Sequence, residues 1–327
     1  MDTFKFDVVI IGAGPTGLSC AVECARAGLS HVVLEKGCIV NSIYHFPSNM
    51  IFFTTSDLLE IGGVPFTTPN PKPTREEGLQ YYKRVVQYYS LNVRTGEKVI
   101  SIQNLSNEFL VDTESNDQQK RYTARHIVIA TGYYDQPNKL FVPGEESSKV
   151  SHYYTDPHPF YGKNVLIVGG KNSACIAALE LYRYGAKVTV IHRGEEIKKS
   201  VKYWILPDFM NRVQEGALTL HLQSVVTHIA DNEVTIQNVI TRQETIIAND
   251  SVFALTGYRP DEHLLRMCGI QLDERLVPLH NLETLETNVR GIYVAGSVSA
   301  GLDTNKLFIE NGRFHGKTIV EHIRSKE

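Results

Sequence analysis

Residues 8–17 read Val8-Val9-Ile10-Ile11-Gly12-Ala13-Gly14-Pro15-Thr16-Gly17, an apolar run that ends on a Gly-x-Gly-x-x-Gly spacing and leads into a helix-like stretch. Glycine lets the backbone turn tightly and approach a pyrophosphate closely, and the helix behind it offers unpaired N–H groups and the positive end of its dipole. The residue that ends the next strand decides the ligand. Here that strand is His31-Val32-Val33-Leu34 and it ends at Glu35. A carboxylate at this spacing of roughly 20 residues is suited to accept hydrogen bonds from ribose hydroxyls. A lone glycine turn also fits a simple strand-to-helix corner, and the matched Glu35 is what favours a nucleotide. The first turn is therefore expected to hold FAD.

The same logic recurs at Val165-Leu166-Ile167-Val168 followed by Gly169-Gly170-Lys171-Asn172-Ser173-Ala174. Its next strand, Ala186 to Ile191, ends on His192-Arg193, with Lys198, Lys199 and Lys202 close behind. A carboxylate there would repel a ribose phosphate, whereas a guanidinium can grip one bidentately and ammonium groups add field. The second turn is expected to hold NADPH, although the basic cluster from 193 to 202 also fits a solvated face. Lys171 stands where a second glycine normally admits the phosphate, so its side chain must turn outward or meet a phosphate itself.

With 327 residues, 42% hydrophobic and 21% charged, the chain has room for about two domains and a sizeable core. A formal net charge of −3 gives no electrostatic footprint for nucleic acid. No apolar run approaches the roughly 20 residues of a membrane span. The opening Met1-Asp2-Thr3-Phe4-Lys5 enters a strand at once, so no signal peptide, a cytoplasmic location and no membrane partner are the expectations. The five cysteines, Cys20, Cys24, Cys38, Cys175 and Cys268, include no Cys-x-x-Cys. Cys20, Cys24 and Cys175 read as small reduced apolar groups on helices. Electrons should leave a flavin here without a dithiol relay, and no metal is expected.

Between the turns, a proline-rich loop from Pro65 to Pro73 ends at a capping box, Thr74-Arg75-Glu76-Glu77. The helix it opens is expected to bury Leu79, Tyr82, Val86 and Tyr89. Strands are expected at Val99–Ile102 and Glu108–Thr113, then a polar loop from Glu114 to Lys120, then a strand closing on Ala130-Thr131-Gly132. Residues 151–161 read as a linker. In the second unit a helix is expected around Tyr203 to Val213, with short strands following to Leu255-Thr256-Gly257, an echo of 130–132. Gly291 to Gly296 should return a strand and a glycine turn to the first domain. The fold class is thus α/β, two Rossmann-like three-layer ββα dinucleotide-binding domains with the NADPH domain (156–260) inserted in the FAD domain (1–155 and 261–327).

With these parts in order, the whole chain resembles two-dinucleotide flavoprotein reductases built like low-molecular-weight thioredoxin reductases, and within them the bacillithiol disulfide reductases. The stretches that carry this are Glu35–Tyr44 (EKGCIVNSIY), Phe52–Gly62 (FFTTSDLLEIG), Val168–Ala174 (VGGKNSA), Trp204–Pro207 (WILP) and Phe308–Gly316 (FIENGRFHG). The resemblance makes Lys171 a family trait. It implies FAD contacts at Gly12, Gly14, Pro15, Thr16, Gly17, Glu35, Lys36, Asn41, Ser42, Thr54, Val99, Ala130, Thr131, Gly132, Gly296, Ser297 and Lys306, with Thr55 nearby. It implies NADPH contacts at Gly169, Gly170, Lys171, Asn172, Ser173, Ala174, His192, Arg193, Lys199, Lys202, Thr256 and Gly257. Two positions depart from the pattern: Thr16 stands where many relatives have a cysteine proposed as the redox thiol, and Ser297 where they have an aspartate. A threonine hydroxyl is neither a comparable nucleophile nor a redox centre.

The resemblance further implies a homodimer and a small disulfide, or a redox protein, as electron acceptor. A thioredoxin-reductase-like ferredoxin or flavodoxin NADP reductase also lacks the dithiol and stays open, as does an NADPH-sensing flavoprotein. A flavin monooxygenase is suggested only by Phe160-Tyr161-Gly162. In each enzymatic reading the flavin carries the redox step, so no side chain is singled out as catalytic.

Overall fold

The computed structural model describes residues 3–116, 118–197, 200–303 and 306–326. The chain divides into two units, one of Met1–His45, Asn49–Gln136 and Tyr258–Glu327, the other of Phe46–Ser48 and Pro137–Gly257. The second unit thus starts at Pro137, ahead of the expected 156. Ser151, the first residue of the expected linker, lies in a strand, Val150–Ser151, that pairs in parallel with Val252 and Phe253.

In the first unit the strands Val93–Thr95, His31–Glu35, Thr3–Ile11 and Gln118–Ile129 lie side by side in that order, all parallel. The Gln118–Ile129 strand serves two layers. Its first half pairs antiparallel with Glu108–Ser115, which pairs with Lys98–Leu105, while its last residues pair in parallel with Ile292–Val294. The expected polar loop from Glu114 to Lys120 is instead mostly strand, with Ser115 paired to Gln118. Val9, Ile11, Val32, Leu34, Ile127 and Ile129 from the parallel strands pack with Phe109, Val111 and Tyr122 from the antiparallel layer. Each such buried side chain contributes about 1.5–3 kcal/mol. The helices Pro15–Arg26 and His315–Ser325 pack on each other. Both faces of a parallel strand are then covered, which is why Val8-Val9-Ile10-Ile11 is apolar without alternation.

The helix Arg75–Tyr88 starts on the expected capping box, Thr74 with Glu77. Its buried face is Gly78, Tyr81, Tyr82 and Val85: Tyr82 is buried as expected, while Leu79, Val86 and Tyr89 are half-buried, so the face is shifted toward Tyr81. The hydroxyls explain the shift. Tyr81 Oη accepts the Ile61 N–H at 2.8 Å and donates to Val64 O at 2.9 Å, and Tyr82 Oη donates to Leu59 O at 3.0 Å. Both phenols are paired with backbone and so can be buried.

In the second unit the parallel order is Thr219–His221, Lys187–Ile191, Asn164–Val168, Ser251–Ala254 and Val150–Ser151. An antiparallel sheet of Ser224–Ile229, Glu233–Asn238 and Glu244–Ala248 covers one face through Val226, Ile229, Val234 and Ile236. The helix Asn172–Arg183 covers the other through Ala174, Cys175, Ala177, Ala178 and Leu181. A second helix, Leu206–Gln214, begins three residues later than expected, leaving Tyr203 and Trp204 in the loop before it. Among the described residues no helix is long and apolar enough to cross a membrane.

Candidate dinucleotide sites

Ile11, Ile129 and Val294 are register partners, so the loops that follow them leave the first sheet at one carboxyl edge. These are the Gly12–Gly17 turn, Ala130-Thr131-Gly132 and Gly296-Ser297. Their closeness is steric. A Cβ on Gly12 would lie 2.6 Å from Ala130 O, and one on Gly132 would lie 3.4 Å from Ser297 Oγ. One on Gly17 would lie 2.0 Å from Gly12 O. Ligands of open α/β sheets bind outside such an edge.

A dinucleotide fits there on three counts. A Cβ on Gly14 would meet nothing within 4 Å, so the turn faces open space at that residue. The helix Pro15–Arg26 begins on Pro15 with no side-chain cap, which leaves its first N–H groups for an anion. Thr131 Oγ1 is buried with no hydrogen-bond partner. An unpaired buried hydroxyl is costly, and a bound ligand offers it a partner.

Glu35 is buried and holds the turn from below: Oε2 accepts the Ala13 N–H and Oε1 the Gly37 N–H, both at 2.8 Å. Burial raises its pKa, and the two backbone bonds work against the rise. Each oxygen keeps lone-pair capacity for ribose hydroxyls. Lys36 pairs with Asp135 at 3.0 Å, three residues past Gly132, and so ties the loop after the second strand to the 130–132 loop. Asn41 Oδ1 accepts the Cys38 N–H at 3.3 Å, closing the 37–41 loop, whose Val40 N–H donates to Ala13 O at 2.9 Å. Val99 is the second residue of the Lys98–Leu105 strand, beside a bulge and two residues after Glu97, whose N–H donates to Glu35 O at 2.9 Å. Ser42 and Thr54 are half-buried. Lys306 is 74% exposed and pairs with Asp303 at 2.8 Å, a surface ion pair.

Thr16 does not face the open side of the turn. Its Oγ1 lies 2.8 Å from the Cβ position of Gly296 and 3.0 Å from that of Gly312. Sequence reasoning missed the partner that fixes the Gly296 loop, His315, whose Nδ1 accepts the Gly296 N–H at 3.1 Å. It also missed the Glu97 carboxylate, buried under Thr113 at 2.7 Å, Tyr122 at 2.5 Å and Lys120 at 3.0 Å. The FHG of the 308–316 stretch was the one available signal for His315.

In the second unit Val168, Ile191 and Ala254 are register partners, and the glycine turn, His192-Arg193 and Thr256-Gly257 leave from their edge. Gly169 lies against Leu255 O, 2.6 Å from the Cβ position, and that position also meets Ala174 Cβ at 3.0 Å. The helix again begins without a side-chain cap, with Lys171 and Ser173 exposed at its start. These features fit an anionic ligand. The His192 ring lies under the turn, between the Cβ positions of Gly170 (2.4 Å from Nδ1) and Gly194 (2.7 Å from Nε2). Arg193 is exposed. Asn172 Oδ1 accepts the Lys202 N–H at 2.9 Å. Lys199 lies outside the described residues. Thr256 and Gly257 are held by Asn138, which the sequence did not single out: Thr256 Oγ1 donates to Asn138 O at 2.5 Å and Gly257 O accepts the Asn138 N–H at 2.9 Å.

All five cysteines are free. Burial pushes the thiols of Cys24, Cys175 and Cys268 up to about 12 and that of Cys20 well above its ordinary value. Only Cys38 is partly exposed. Thiols held neutral in this way are poor nucleophiles.

Residues 9–296 match the model of the pyridine nucleotide-disulphide oxidoreductase family. The chain is 44% identical over 321 residues to the bacilliredoxin reductase Bdr of Bacillus subtilis strain 168, covering 98% of both. Among solved structures it is similar to the bacillithiol disulfide reductase Bdr of Bacillus cereus, with a TM-score of 0.96, 44% identity and coverage of 99% of this chain and 100% of that one. The Staphylococcus aureus Bdr structure is similar at a TM-score of 0.94 and 42% identity, with 99% of each chain covered.

Proposed function

The chain belongs to the pyridine nucleotide-disulphide oxidoreductase family, and from that premise we propose that it uses NADPH to reduce bacillithiol disulfide. It is an FAD- and NADPH-dependent oxidoreductase. In the proposed reaction one NADPH and one proton convert one disulfide to two thiols and NADP+. The flavin, when bound, supplies the two-electron step between nicotinamide and disulfide.

The first unit is the FAD domain in this reading and the second the NADPH domain. The protein's part is to seat both. The open face at Gly14 and the uncapped helix behind it receive the FAD pyrophosphate, Glu35 the ribose, and Thr131 and Ser297 offer hydroxyls at the same edge. In the second unit the helix starting at Asn172 receives the NADPH pyrophosphate and Arg193 the ribose phosphate. Thr16 serves as packing between Gly296 and Gly312, and the disulfide takes electrons with no mixed disulfide to a protein thiol.

The observation that carries the reading is identity of 42–44% along essentially the whole chain to proteins named for this reduction. The test is a side-by-side assay of the FAD-loaded protein with NADPH against bacillithiol disulfide, other small disulfides and ferredoxin. Turnover fastest with bacillithiol disulfide is expected. Turnover with ferredoxin and none with any disulfide would replace this reading with a ferredoxin reductase.

A further inference from the structure

The second unit exposes an aromatic pair, Tyr203 and Trp204, in the loop bonded to the start of its glycine-turn helix. Asn172, the first residue of the helix, binds the backbone N–H of Lys202 through Oδ1 at 2.9 Å and so ties the following loop to the turn. Lys202 Nζ stands 5.7 Å over the ring of Trp204. Trp204 in turn meets Tyr203 edge-on, with ring centroids 4.8 Å apart and planes at 88°. Tyr203 is 82% exposed and Trp204 42%. Because the rings are perpendicular, a flat guest can lie parallel to only one of them. The ammonium sits over one face of Trp204, and Tyr203 is the more open of the two rings.

From this we infer that Tyr203 is the platform on which the adenine ring of NADPH stacks. Trp204 buttresses it edge-on, and Lys202 stands beside it as the cation for the adenosine phosphate. The inference rests on the reading of the second turn as the NADPH site and adds the residue that holds the base. Three features favour adenine as the occupant. The loop is bonded to the first residue of the phosphate-facing helix, so a nucleotide on that helix lies within reach of it. A cation and an open aromatic ring both pack against Trp204, Lys202 over its face and Tyr203 edge-on, which matches a phosphate next to a purine. A stacked base is also held without hydrogen-bond readout, which suits a loop whose described side chains at 203 and 204 are aromatic.

Trp204 is the chain's only tryptophan and reports on its neighbour. The probe is 2′,5′-ADP, which has the adenine and both ribose phosphates and lacks the nicotinamide, titrated into the FAD-loaded protein by calorimetry and by tryptophan emission. We expect saturable binding that alters Trp204 emission. Tyr203→Ala should bind the probe about tenfold more weakly at unchanged flavin content and melting temperature. Tyr203→Phe, which keeps the ring face, should stay within about twofold of wild type. A Tyr203→Ala protein that binds the probe as tightly as wild type overturns the stacking while leaving the NADPH site in place. A wild-type protein that does not bind it at all overturns the NADPH reading of the second turn and the inference with it.

Discussion

Thr16 Oγ1 lies 2.8 Å from where a Cβ on Gly296 would stand, so the first turn and the loop after the last strand meet with no room for a side chain between them. Gly296 also has a φ of +75°, a conformation that side chains rarely adopt. Gly296→Ala should therefore combine backbone strain of about 1–3 kcal/mol with a displaced Thr16. The expected outcome is a lower melting temperature and loss of flavin on gel filtration. A variant with full flavin content would show that the two loops do not need this contact.

Gly14 and Gly17 separate ligand approach from fold. A Cβ on Gly14, whose φ is −68°, meets nothing, whereas one on Gly17 falls 2.0 Å from Gly12 O. Gly14→Ala should leave the melting temperature of flavin-free protein nearly unchanged, within about 0.5 kcal/mol, and weaken FAD binding at least tenfold. Gly17→Ala should destabilise the flavin-free protein itself. Equal effects of both variants on stability would contradict the placement of the pyrophosphate over Gly14.

His315 gives the protein an acid-side dependence. Burial, with His280 nearby, lowers its pKa from 6.5 to about 4, and its Nδ1 accepts from Gly296. The folded protein therefore binds this proton less readily than the unfolded chain. Its contribution is fully present above about 6.5 and is lost as pH falls toward 4. His315→Gln should flatten that part of a plot of melting temperature against pH. An unchanged slope would remove His315 as its source.

Arg193 should decide between the two nicotinamide coenzymes. Arg193→Glu places a carboxylate where only NADPH carries an extra phosphate, so Kd for NADPH should rise tenfold or more and Kd for NADH much less. Equal losses for both would count against the assignment.

Much of this site is legible in the sequence because its constraints leave a local signature. Gly17 is required by Gly12 O of its own turn. Gly12 and Gly169 carry their requirement in the residue type itself although the backbone they meet, Ala130 and Leu255, is distant in the chain, and the apolar runs before them are required by burial on both faces. Even the Ala130–Gly132 and Gly296 loops carry the same strand-then-glycine signature. The rest comes from contacts distant in the chain. Asn138 reaches Thr256 across 118 positions, and nothing around either marks the pair. His315 is 19 positions from Gly296. Tyr82 is buried as its spacing implies, but Tyr81 is buried beside it because backbone groups of Ile61 and Val64 pair with its hydroxyl, which a periodicity of apolar positions does not register. Residues 151–161 read as a linker because a two-residue strand such as Val150–Ser151 has no pattern of its own.

The central claim is that electrons pass from NADPH through the flavin to a small disulfide with no protein thiol between, and anaerobic stopped-flow on protein alkylated at its accessible cysteine tests it. NADPH should bleach the visible flavin absorption, and bacillithiol disulfide should then restore it at the rate seen before alkylation. A flavin that NADPH does not bleach, or one that the disulfide reoxidises only in unalkylated protein, would contradict the account.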